Sequence, residues 1–314
     1  MTEVKDIQSL FIQTYPEYEE IRLRSDRYWN GLKIAVGIAS LFFVVALIPV
    51  FTFAGILWTI GMFVFFTIYC MIANQLTLKR HDLSVFFNTI KKPFLDTLLK
   101  TIDPSFIFID GSIPFEDVMQ TKLFNPERAT PFIYKGEDYF SGYYKGVRIR
   151  ISEIAWQLND YQQADSDFET SVLVLIDFNK NISSNTFIYP QNSKHTKPFS
   201  IIAKPIGEEV TLENTDFENS FSTYSDDEIE ARFILSHSFM ERLLILKSIL
   251  KRNIIHINFS KNTCSILIHK YTLFELSTSK SLQEDKPFER FYNEVKSIIE
   301  LIDVLRLNEK IWKE

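Results

Sequence analysis

Two histidines and a run of acids are the residues whose type and spacing come nearest to chemistry. Ile254–Phe259, a turn at Ser260-Lys-Asn-Thr263, and Cys264–Tyr271 read as a β-hairpin. Pairing Phe259 with Cys264 sets Ile257 opposite Ile266 and Ile255 opposite Ile268, which gives an apolar face of six residues. His256, Asn258, Ser265 and His269 then share the other face. Two imidazoles placed diagonally can bind a metal. No carboxylate or thiolate joins them nearby in sequence, so the pattern predicts exposed polar positions and no metal site. Asp226-Asp-Glu-Ile-Glu230 gathers carboxylates, which can do acid–base work. They stand at a turn before a predicted strand, Ile229–Ile234, where plain solvation is the expectation. In that strand Glu230 and Arg232 share a face, and the reading is a structural ion pair.

Other signals are weaker. Gly136-Glu-Asp-Tyr-Phe-Ser-Gly142 with Lys145-Gly146 is glycine-spaced. It lacks the strand–loop–helix context and the Lys-Ser/Thr of a phosphate loop, so it predicts a tight β-turn. Ser236-His237 has no nucleophile elbow around it. No catalytic constellation and no cofactor follow from these residues.

The elements that would position them change period along the chain. Val4, Ile7, Leu10 and Phe11 mark a short amphipathic helix, and His81–Leu99 has helical spacing with a kink at Pro93. From about Ser105 the period is two. Phe106–Asp110 and Val147–Ser152 read as strands, and Val172–Phe178, apolar on both faces, as a central one. Thr186–Tyr189 is a short strand and Gln191–Pro198 a loop, and Val210–Leu212 and Phe217–Tyr224 are further strands. Ser238-Phe-Met-Glu241 fits a capping box that opens a helix through Leu250. A last helix starts near Pro287 and keeps i, i+3, i+4 apolar spacing to Leu305.

Ahead of this lies a run of thirty-nine residues, Ile34 to Ile72, without Asp, Glu, Lys or Arg. One crossing of a ~30 Å hydrocarbon core needs about 20 residues. With Pro49 and Gly55 near its middle, the run predicts a helical hairpin spanning about 34–50 and 54–73. Arg22, Arg24, Arg27 and Lys33 precede it, and Lys79, Arg80, Lys91 and Lys92 follow it. Both termini are therefore expected on the cytoplasmic side. The expected layout is a cytoplasmic amphipathic segment 1–33, the hairpin 34–73, a connecting helix 74–104 and a cytoplasmic domain 105–314. No ionisable residue lies inside the spans, which argues against a transporter or pump.

Composition narrows the function further. Residues 101–314 carry twenty-four Lys+Arg against thirty-two Asp+Glu, a net of −8. An acidic domain is a poor binder of phosphate backbones, so no nucleic-acid partner is expected. Cys70 and Cys264 lack ligand spacing and predict neither a disulfide nor a zinc site. Twenty-nine phenylalanines imply an aromatic-rich core, or else an apolar binding groove.

Several blocks occur in order: Tyr134–Gly142; Lys145-Gly146 with Ile151-Ser-Glu153; Ile176-Asp-Phe-Asn-Lys180; Val210–Glu213 with Asp216-Phe217; Tyr224–Leu235 with Met240-Glu-Arg-Leu243; and Leu273-Phe-Glu275. With the preceding hairpin, the chain resembles over 134–276 the bacterial family catalogued as domain of unknown function 3137. Ser171-Val-Leu-Val-Leu-Ile stands where that family usually has a Phe-x-Gly-like element. The resemblance implies a membrane-anchored bacterial protein and supplies no activity. The candidates for an interaction or structural role are Asp138, Asp177, Asn179, Lys180, Glu230 and Arg232.

The expected fold is α+β, a largely antiparallel sheet with flanking helices, tethered at the bacterial inner membrane by the hairpin. The expected function is a non-enzymatic binding or scaffolding module whose partners are the lipid bilayer and another protein. The alternative is a membrane-associated enzyme or sensor binding an apolar ligand in a Phe-rich pocket. A cavity with convergent Asp, Glu and His would favour the alternative.

Overall fold

The computed structural model describes residues 95–125, 132–158, 169–191, 202–249, 254–269, 271–275 and 287–307, with scattered positions between Pro16 and Met71. The chain divides into two units, Met1–Phe94 with Leu276–Glu289, and Leu95–Glu275 with Arg290–Glu314. In the first, the described positions between Pro16 and Met71 are helical and exposed, Ile34, Ile38, Phe66 and Met71 among them. Among the described residues no helix is long and apolar enough to cross a membrane. The predicted hairpin at 34–73 and the Pro93 kink fall almost wholly outside them.

The second unit is an antiparallel sheet flanked by helices, as its α+β reading expects. In chain order its elements are α1 (95–102), β1 (Ile107–Ile109), α2 (Phe115–Gln120), β2 (Phe132–Tyr144), β3 (Val147–Leu158) and β4 (Glu169–Pro190). Then come β5 (Glu208–Val210), α3 (Thr215–Glu218), β6 (Phe221–Ser225), α4 (Glu228–Ile234), α5 (His237–Ile249) and β7 (Ile255–His269). The unit closes with α6 (Pro287–Ile299), which belongs to it from Arg290 onward, and α7 (Leu301–Leu305). The sheet runs β1-β2-β3-β4-β6-β5, and β7 pairs with β4.

β7 folds back on itself. The His269 N–H donates to the Ile254 carbonyl at 2.9 Å. Fifteen residues of straight strand would hold those ends about 50 Å apart. The reversal lies at the predicted turn, where Lys261 has φ 56°. The two arms then pair with different halves of β4: Ser171–Asp177 with His269–Thr263, and Asn185–Ile188 with Ser260–Ile257. The hairpin is thus clasped between the halves of one long strand, and the register shifts between Asp177 and Asn185 carry the chain past its tip.

The predicted apolar face holds. Ile255, Ile257, Phe259, Cys264, Ile266 and Ile268 are all buried, and Phe239 of α5 packs on Phe259 with ring centroids 5.7 Å apart. On the same side Phe106, Phe140, Phe274 and Phe291 form a row of successive ring contacts at 6.2, 5.9 and 5.3 Å. Nine of the ten largest fully buried side chains among the described residues are phenylalanines, so the core is rich in aromatic rings.

Several local expectations are overturned. Ile229–Ile234 is helix, not strand, because the Asp227 carboxylate accepts from the Ile229 and Glu230 N–H groups and caps it. Phe217 lies in the short α3, capped by Asn214, and only Phe221–Ser225 of the predicted Phe217–Tyr224 is strand. α5 begins at His237, ahead of the expected cap at Ser238, whose hydroxyl instead accepts from Arg242. Gly136–Gly142 is not a turn but part of β2, and the turn is Lys145-Gly146, with φ 50° and 79°. The last helix is divided at Glu300, though backbone bonds run through the join.

Gly142 has a packing reason. A Cβ there would lie 2.5 Å from the Phe106 ring. Gly142→Ala should therefore lower unfolding stability by about 1–3 kcal/mol in denaturant titration. Gly146→Asn, at an open left-handed position, should stay within about 0.5 kcal/mol of the native chain.

Candidate functional site

The polar face of β7 is not exposed, contrary to its sequence reading. His256, Asn258, Ser265 and His269 are all buried. The cover comes from far away in the chain. Residues 113–124, with Ile202, pack over a core of Ile154, Trp156, Leu173, Leu175, Phe187, Tyr189 and Leu267. Asn258 donates its amide to the Thr121 carbonyl at 2.7 Å. The imidazoles meet directly, His269 Nε2 to His256 Nδ1 at 2.9 Å. His269 Nδ1 stands 3.4 Å from Ser171 Oγ, and the Tyr189 ring lies edge-on to His256, centroids 4.6 Å apart. Burial pushes His256 well below the usual imidazole range, and its partner adds to the effect. A neutral pair needs only one shared proton. Among the described residues no group of three or more His, Cys, Asp or Glu could hold a metal.

The acidic run is structural too, but not as a Glu230–Arg232 pair. On α4, Glu230 turns to β4 and accepts from the Ser183 N–H at 3.1 Å, the Ser184 N–H at 2.7 Å and both serine hydroxyls. Partial burial pushes its carboxyl up, and the serine bonds, Ser184 foremost, outweigh this and leave it below the usual range. Arg232 instead pairs with Glu228 one turn back at 2.7 Å, largely in solvent. Asp226 holds Asn185 through its N–H at 2.6 Å and its amide at 2.8 Å.

Asp177 joins a second network. Arg150 bonds Asp117 at 2.7 Å and reaches Asp177 at 3.7 Å, and Thr263 donates to Asp177 at 3.4 Å. Asn179 and Lys180 lie in β4, with their side chains outside the described residues. Asp138 is buried at the β2 bulge with φ 56°. It stands near Glu153, a group the sequence reading passed over. The buried Glu153 carboxylate accepts from the Leu273 N–H at 2.9 Å. The next residue, Phe274, is held at φ 53°, with its N–H given to Glu294 at 3.2 Å. Burial pushes Glu153 up to about 7. The Leu273 N–H opposes this, and the charges of Asp138, Glu137 and Glu275 add to it.

A concave feature lies beside α2. A half-open cavity of about 600 Å³ is lined by Met119, Phe124, Ile202, Ala203 and Ile206, with Lys122, Asn125 and Lys204. Its walls meet through the Phe124–Ile202 bridge and an Ala203 N–H bond to the Leu123 carbonyl at 2.9 Å. No carboxylate, imidazole or thiol is among the described lining residues, and Phe124 is the phenylalanine among them.

Residues 171–307 match the family model described as Protein of unknown function (DUF3137). The DUF3137 match takes in the blocks from Ile176 onward, leaves those at 134–153 outside, and runs past Leu276 through α6 and α7. The clasped hairpin, α4 and α5 all fall within it. No curated protein matches the chain. Among solved structures, the crystal structure of the mycobacterial trehalose monomycolate transport factor A, TtfA, matches with 8% identity. It covers 67% of this chain and 93% of that one at a TM-score of 0.33, too loose a superposition to carry an argument.

An unfolded glutamate titrates near its ordinary 4.5, and Glu153 in the fold near 7. Between those values the folded state keeps a proton the unfolded state has released, so stability falls as pH rises through that window. Glu153→Gln should remove this fall, gaining on the order of 1–3 kcal/mol at pH 8 and nothing at pH 4, as read by thermal unfolding across pH. Glu230→Ala, which leaves the Ser183 and Ser184 N–H groups without their acceptor, should cost about 1–3 kcal/mol. Arg232→Ala should cost only ~0–1 kcal/mol in the same assay.

Proposed function

We propose that this protein is a non-enzymatic binding module, tethered to a membrane by the segment 34–73, with the cavity beside α2 as its recognition site. The carrying observation is the contrast between that cavity and the rest of the surface chemistry. Glu230, Asp226, Asp177 and Glu153 are engaged in hydrogen bonds that hold strands and turns. His256 and His269 hold each other. That concave surface instead offers apolar walls and two lysines. Apolar pockets with a few polar groups bind ligands, whereas acid–base catalysis needs convergent titratable groups. The tether rests on the uncharged run Ile34–Ile72 and the Lys/Arg residues on both flanks.

A photo-crosslinking residue placed at Ile206, half-exposed at the cavity rim, tests this in native membranes. Illumination should give a discrete adduct from Ile206 and none from the exposed Thr272. The chain should also stay with the membrane through an alkaline wash. Equal or absent adducts at the two positions would count against the recognition site, and release by the wash against the tether.

A further inference from the structure

We propose that the cavity takes a single-chain anionic amphiphile, with its acyl chain against the apolar walls and its carboxylate or phosphate head at Lys122 and Lys204. This rests on the binding-module reading and names the ligand class. The two halves of the site are chemically distinct. Met119, Phe124, Ile202 and Ile206 supply apolar wall, and Lys122 and Lys204 line the same cavity with no acid among the described lining residues. These two lysines stand in a region, residues 101–314, of net charge −8, from twenty-four basic and thirty-two acidic side chains.

Lys122 is also placed rather than loose. Its backbone sits at φ 56° just after α2, between the buried Thr121 and Leu123. Its ammonium donates to Asn185 Oδ1 at 2.8 Å, and the Asn185 amide donates to Asp226 at 2.8 Å. An ammonium carries three N–H donors, so this relay fixes the head with one of them and leaves two for an anion. The Asp226 carboxylate is turned to Asn185 and not to the cavity lining. A bare anion would leave the apolar walls wet, and a neutral lipid would leave two cations without counter-charge. An anionic amphiphile satisfies both halves, and about 600 Å³ lies within the ~300–1,000 Å³ of ordinary ligand sites.

The test uses the full chain in phosphatidylcholine nanodiscs with a diazirine-bearing palmitate, illuminated and mapped by peptide mass. Label should appear on residues 119–125 or 202–206. Oleate and lysophosphatidate should compete it away, while monoolein and inorganic phosphate at equal concentration should not. Lys122→Gln with Lys204→Gln should lower cavity labelling roughly tenfold and leave labelling of 34–73 unchanged. If the double variant loses its near-UV dichroism, Lys204→Gln alone and the competitor series decide. Label confined to 34–73, competition by monoolein equal to that by oleate, or full labelling of the variant would each overturn the proposal. In those cases a persistent adduct from Ile206 in native membranes would show that the binding-module reading survives its loss.

Discussion

The fold hangs on a closure between residues 254 and 269. One backbone hydrogen bond joins them, and beside it two imidazoles lie 2.9 Å apart, buried. That closure makes β7 a hairpin. It lets the two arms pair with opposite halves of β4, and so puts Ser171 and Ile188, seventeen positions apart on one strand, on either side of the same insert. Burying two histidines is costly unless they are neutral and bonded. Each supplies the other's partner, with Ser171 at the outer nitrogen and the Tyr189 ring alongside. The arrangement requires a dry cover, which residues 113–124 provide, and the same cover forms one wall of the cavity.

The charged groups follow a common logic. Asp226 and Glu230 fasten Ser183–Asn185 where β4 leaves the hairpin tip, Arg150 bridges Asp117 and Asp177, and Lys145 joins the β2–β3 turn to Asp303 of α7 at 2.7 Å. Each bond holds an irregular backbone stretch that the ladder cannot hold by itself. Glu153 belongs here as well, with one bond to the segment that keeps Phe274 in a left-handed conformation. A bulky residue in that region is strained. Its buried ring, 5.9 Å from Phe140 and 5.3 Å from Phe291, explains why the conformation is tolerated. Asp226, Glu230, Asp177 and Glu153 are thus committed to the frame.

Much of the sheet was legible in the sequence because side-chain alternation is a local signal. The hairpin's register and its apolar face, the alternation of Val147, Ile149 and Ile151 with Arg148 and Arg150, and the doubly buried Val172–Ile176 stand as expected, whereas Ser152, read as outward-facing, is buried. What failed was non-local or finely balanced. The polar face of β7 reads as solvated because its cover, Thr121, lies 137 residues from Asn258. Ile229–Ile234 alternates like a strand, yet the decisive signal was Asp227 with Glu230 three residues on, a capping pattern that also sets Ala231, Ile234 and Leu235 on one buried helical side. Nothing local marks the cavity, whose walls come from residues 119–125 and 202–206. Glu153 sits in a strand pattern like any exposed acid, and only the approach of Leu273 shows that it is buried.

The buried imidazole contact can be observed directly. Nuclear magnetic resonance of nitrogen-15-labelled protein reads the scalar coupling transmitted across an N–H···N hydrogen bond, together with the protonation state of each ring. The account predicts a coupling between His256 Nδ1 and His269 Nε2, with His256 remaining neutral well below pH 6.5. Two histidines that titrate independently near the ordinary ~6.5, with no coupling between them, would show that the ends of β7 are not joined and that the clasped hairpin is wrong.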